Sequence, residues 1–170
     1  MPSFYPAARP MTLRGLPGGR AGTAETLKEM ARLAREGTRD AGVIQVASEL
    51  VRNLAQYDRV GEILALHAFV RDSIRYTNDP IDRELVRTPR AILEMGVGDC
   101  DDKSILLVCL LRCIGRPGRF VAIEMHNAGA FSHVYVETPL GKRWIPLETI
   151  KPVDAGWSPS NVTRRMVVHV

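Results

Sequence analysis

At 170 residues, 45% apolar and 25% charged, the chain has the size and composition of one globular domain that buries a core without disulfides or metals. No apolar run approaches the roughly 20 residues that cross a bilayer, and the N-terminus lacks the apolar core of a signal peptide, so no membrane role is expected. Three cysteines make no disulfide framework and point to a reducing, cytoplasmic setting with a free thiol, while a net charge of +4 is too mild to mark a specific nucleic-acid binder.

Residues 1–22 carry Pro2, Pro6, Pro10 and Pro17, with Gly15, Gly18, Gly19 and Gly22 beside them, and Arg9, Arg14 and Arg20 without an acid. They read as a flexible basic arm, either a terminus or a docking segment for an acidic surface. Residues 23–170 read as a single domain. Thr23 is placed to cap a helix whose Leu27, Met30, Ala31, Leu33 and Ala34 form one stripe, stopped at Gly37. Thr38 then caps a second, with Val43, Ile44, Ala47, Leu50 and Val51 at helical spacing. Asp58 caps a third, running to about Tyr76 with Ile63, Leu66, Val70 and Ile74 inward; His67 lies on its flank as a boundary residue. Asn78-Asp79-Pro80 is a turn, and Thr88-Pro89 opens a short helix that Gly96 ends.

Gly98-Asp99-Cys100-Asp101-Asp102-Lys103-Ser104 follows, and the next seven residues, Ile105 to Leu111, are all apolar. A helix apolar on every side must be covered by other elements, so this one runs through the middle of the domain. With Asp99 as N-cap, Cys100 is the first helical residue and Asp102 the third, the spacing of a capping box. The positive end of the helix favours an anion there, which lowers a thiol pKa; the flanking aspartates oppose that shift. Beyond Pro117 the period changes from about 3.6 to 2. Strands are expected over 119–125, 131–138, 143–148 and 165–170, as an antiparallel meander with the helices on one side of the sheet. The fold class is α+β.

A cysteine nucleophile needs a base, and the base needs a group to orient it. Of His126, His133 and His169, the one held inside a strand is His133, and the strand after it ends in Glu148. The competing reading of Cys100 is a small buried core residue. Cys109 and Cys113 are core residues, about 13 Å or more along the helix from Cys100. Cys100, His126 and His133 match no zinc spacing, so neither metal nor cofactor is expected.

Gly98 to Ser104, together with Leu111 to Val121, resembles the core of the transglutaminase-like superfamily. Phe131-Ser132-His133-Val134-Tyr135-Val136-Glu137 and Trp144-Ile145-Pro146-Leu147-Glu148-Thr149 resemble its second and third blocks, in the same order. The resemblance spans about residues 58–150, and short domains of this kind imply a bacterial or prophage setting. It implies a papain-like α+β fold and acyl transfer through a thioester on a peptide or protein substrate, without a cofactor. Cys100 falls on the nucleophile, His133 on the base and Glu148 on the third member. Where the family usually has Asp followed by Pro-Thr, this chain has Glu148-Thr149-Ile150, so the orienting bond either requires a shifted backbone or is absent. Protease, transglutaminase and deamidase remain open at this point, as does a papain-like module that binds a protein partner without catalysing; oligomeric state is not legible.

Overall fold

The computed structural model describes residues 11–13, 19–79 and 84–170. A short strand, β1 (Met11–Leu13), and the helix α1 (Gly19–Gly37) begin the described chain; β1 pairs antiparallel with a second short strand, β3 (Glu84–Val86). Within the segment expected as an arm, residues 11–13 are therefore paired and 19–22 form the first turn of α1, which starts before Thr23. The rest of 1–22 lies outside the described residues. Along α1, Leu27, Met30, Ala31, Leu33 and Ala34 are buried as the stripe requires, and Glu25–Lys28 and Arg32–Glu36 pair on the wet face.

The second helix, α2 (Ala41–Val51), is capped by Asp40 and not by Thr38: Asp40 Oδ1 accepts from the N–H groups of Gly42 (2.8 Å) and Val43 (3.0 Å). Thr38 Oγ1 instead donates back to the Arg35 carbonyl (2.7 Å), closing the end of α1. A carboxylate at the positive helix end is the stronger cap. Asp58 caps α3 (Arg59–Ser73) through Gly61 N–H at 2.8 Å. That helix stops at Ser73, before the expected Tyr76, because Lys103 reaches under it and donates to the Arg71 (3.1 Å) and Ile74 (2.7 Å) carbonyls. The freed chain forms β2 (Arg75–Tyr76), parallel to β4 (Val97–Gly98). Between them lies α4 (Pro89–Met95), capped by Thr88 and ended by Gly96 in the left-handed region at φ 63°.

At the centre is α5 (Cys100–Cys113), with Ile105 to Leu111 fully buried. It touches α1, α2, α3 and α4 on its sides and the sheet beneath, which accounts for its all-round apolar sequence. The four-stranded sheet contains β5 (Arg119–Met125), β6 (His133–Leu140), β7 (Arg143–Leu147) and β8 (Val162–His169), in the order β7-β6-β5-β8 and antiparallel throughout. The last strand therefore departs from the expected meander: it returns past β6 to pair with the far edge of β5. Phe120, Ala122, Val134 and Val136 face the helical core, while Val121, Ile123 and Tyr135 form a smaller cluster on the other face.

Candidate active site

The N-terminus of α5 meets the start of β6. Asp99 Oδ1 accepts from the Asp102 N–H at 3.0 Å, so Cys100 is the first residue of the helix, as the sequence implies. Its sulfur lies against the Val134 backbone N–H, and Ser104 Oγ, one turn on, donates to the Val134 carbonyl at 3.4 Å. Val134 follows His133 in β6, so Cys100 and the candidate base share one end of one strand. The reciprocal half of a capping box is absent. Asp102, wholly buried, turns away from Asp99 and accepts from the Arg87 backbone N–H (2.9 Å) and the Arg87 guanidinium, which also reaches Asp79 (3.3 Å).

His133 is half-buried, and its Nε2 lies 2.6 Å from Glu148 Oε2. This uses one ring nitrogen and leaves Nδ1 on the opposite edge for a second proton transfer. Glu148 is 1% exposed. Burial opposes its ionisation, but the bond to His133 and the N–H groups of Ile150 and Lys151 outweigh burial and hold its pKa below the usual glutamate value. Ile150 N–H reaches Glu148 Oε1 at 2.7 Å, so each carboxylate oxygen has a partner. The extra methylene of glutamate does not prevent a bond to His133.

Cys100 departs from expectation in its acidity. Burial, with the Asp101 and Asp99 carboxylates next, pushes the thiol well above its ordinary range; the Val134 N–H pulls the other way without prevailing. Asp101 Oδ1 stands 3.5 Å from the sulfur. The helix terminus favours an anion, but local desolvation and like charge outweigh it. Burial followed by the Asp102 charge also raises Asp99, to about 7. A proton can therefore leave Cys100 near neutral pH only if a partner takes it up.

His67, expected at a boundary, is 1% exposed and places Nε2 2.6 Å from the Glu148 carbonyl. A carbonyl only accepts, so His67 donates through Nε2–H. Lys103 and Arg87 are also buried next to the site; a lysine two residues before the apolar run of α5 is the sequence signal that could have revealed the first. His126 and His169 lie elsewhere: His126 is exposed in the β5–β6 loop, with φ 55°, and His169 packs edge-on against Trp144 at 5.3 Å. Cys109 is buried in the core, and Cys113 is partly buried. Among the described residues, no three His, Cys, Asp or Glu side chains are grouped to hold a metal, and no helix is long and apolar enough to cross a membrane.

The sequence profile of the transglutaminase-like superfamily matches residues 45–149. A comparison with curated protein sequences gave no match. Among solved structures, a proposed protease from Parabacteroides distasonis superposes with a TM-score of 0.62 at 12% identity, over 95% of this chain and 38% of its own. Calcium-bound LapG of Legionella pneumophila gives 0.57 at 17%, over 81% and 80%. A proposed cysteine protease from Cytophaga hutchinsonii gives 0.53 at 15%, over 75% and 46%. This chain thus spans less than half the length of two of the three, and at these identities the likeness concerns the fold. With well over half of its residues inside the family profile, the chain belongs to the transglutaminase-like superfamily.

Proposed function

We propose that this protein is a cysteine-dependent acyl-transfer or hydrolytic enzyme acting on peptide amides, with Cys100 as nucleophile, His133 as base and acid, and Glu148 as orienting group. The observation that carries this reading is the 2.6 Å bond between His133 Nε2 and Glu148 Oε2, which leaves Nδ1 as the ring nitrogen proposed to serve Cys100. Glu148 holds the ring and favours the imidazolium once it forms. In the first step the Cys100 proton passes to His133 Nδ1, and the sulfur electron pair forms a bond to the amide carbon while the carbonyl π electrons move to oxygen. The Cys100 backbone N–H, in the first turn of α5, is the donor proposed for that oxyanion. Collapse breaks the C–N bond, and the departing amine takes the proton from His133, leaving a thioester. Water, or an amine, then gives up its proton to His133 and attacks the thioester, and Cys100 recovers its proton as the acid or the new amide is released.

The two proposed proteases support the hydrolytic branch by likeness of fold, and the substrate is then a peptide or protein. Replacing Cys100 with Ala is expected to abolish amide turnover and leave the circular dichroism spectrum and melting temperature close to wild type. Turnover that survives the substitution would end this reading. The second reading, a module that binds a protein partner without chemistry, draws on the raised acidity threshold of Cys100. It predicts full partner binding in the same variant and no turnover in either protein.

A further inference from the structure

We propose that α3 supplies positioning residues for Glu148: His67 and Arg71 clamp the main chain of residues 148–153 so that the glutamate carboxylate meets His133. This rests on the reading of Glu148 as the orienting acid. His67 and Arg71 are four residues apart, on one face of α3. His67 Nε2–H donates to the Glu148 carbonyl at 2.6 Å, and Arg71 Nη1 donates to the Val153 carbonyl at 2.8 Å. Both acceptors are main-chain atoms of the irregular segment that leaves β7, where no ladder fixes the backbone. The neighbouring N–H of Ile150 turns back to the Glu148 side chain. One residue is thus held at its carbonyl by His67, at one carboxylate oxygen by its own loop, and directed with the other at His133.

His67 suits this task because it is neutral and buried. Burial lowers its pKa and outweighs the bond to the Glu148 carbonyl, which raises it; the Arg71 charge lowers it further, against Asp72 and Glu148, the acids that face it. The neutral ring with its proton on Nε2 is a donor of fixed direction that carries no charge to desolvate. Lys103 completes the support by holding the last turn of α3 through the Arg71 and Ile74 carbonyls. The longer side chain at position 148 needs a main chain set for it, and a glutamate left on an unclamped segment has several rotamers in which the bond to His133 is lost.

The test is the rate of Cys100 alkylation by iodoacetamide against pH, read at that residue by mass spectrometry, in His67→Gln, His67→Asn and His133→Ala beside the wild type. The amide of Gln reaches the position of Nε2, and that of Asn stops short of it. His67→Gln is expected to keep most of the His133-dependent reactivity at about pH 6–7, and His67→Asn to lose about tenfold or more, since a misplacement on the order of 1 Å in such a geometry costs up to about a hundredfold. A merely structural role would lower both melting temperatures and leave the reactivity of the folded fraction unchanged. Arg71→Met, at the more exposed end of the clamp, is expected to lose a smaller part of the same reactivity, and it serves if a His67 variant fails to fold. Wild-type reactivity that His133→Ala removes, together with Gln, Asn and Met variants that all match the wild type, would overturn the clamp and leave the proposed chemistry standing. A wild type without His133-dependent reactivity would overturn both, while turnover lost in Cys100→Ala belongs to the proposed chemistry alone.

Discussion

Asp99, Asp101 and Asp102 flank Cys100 in the chain, and each is handled differently. Asp102 is taken up by Arg87, Asp101 stays beside the sulfur, and Asp99 spends its oxygen on the cap while burial and Asp102 raise its pKa to about 7. A carboxyl whose folded pKa is raised contributes its stability below the unfolded value of about 3.9, and loses it as pH rises through the folded value. The wild type should therefore lose stability between about pH 4 and pH 7 on this account. Asp99→Asn keeps a capping oxygen and removes the ionisation. The variant's melting temperature relative to wild type should rise by several degrees between pH 4 and pH 8. Parallel curves for the two proteins would show that Asp99 ionises as an ordinary surface aspartate does.

Among the elements, α5 depends on close approach by its neighbours. Gly37, the last residue of α1, shows how close: a Cβ built there would lie 2.5 Å from Pro89 Cγ of α4 and 2.8 Å from Cys109 Sγ of α5. Neither atom has room to retreat, since Pro89 and Cys109 are both buried. Gly→Ala in a helix is ordinarily favourable by about 0.5–1 kcal/mol. Here Gly37→Ala is expected to destabilise by about 1–3 kcal/mol through overpacking, measured by urea unfolding. A neutral or stabilising outcome would mean that the three helices pack less tightly than described. The same convergence keeps the start of α5 fixed against β6, and with it the relation of Cys100 to Val134.

Over the whole molecule, the features legible in the sequence were those with a local cause. The buried helix declared itself by seven consecutive apolar residues, Cys100 by the glycine, the cap and the helix behind it, and His133 by its place in an alternating strand. Two kinds of feature were not legible. Competing caps were one: Thr38 and Asp40 both suit a helix start, and the Thr38 hydroxyl was drawn off by the Arg35 carbonyl. Long-range pairing was the other. The alternation in β8 fits either edge of the sheet, and the partner of His67 is a carbonyl 81 residues away. The partner of Glu148 was legible by residue type, and its reach depends on main-chain position, which no local pattern encodes. In the proposed chemistry these distant parts cooperate at one sulfur. The direct measurement is the pH dependence of Cys100 alkylation in the wild type and in His133→Ala. Burial, Asp101 and Asp99 raise the Cys100 thiol, so without an imidazole to take the proton His133→Ala should react appreciably only above the ordinary thiol value of about 8.5. The wild type should stay reactive well below it, with the sulfur proton held by the imidazole. Superimposable profiles, or a wild-type Cys100 that never reacts, would contradict the assignment of Cys100 and His133 as a working pair.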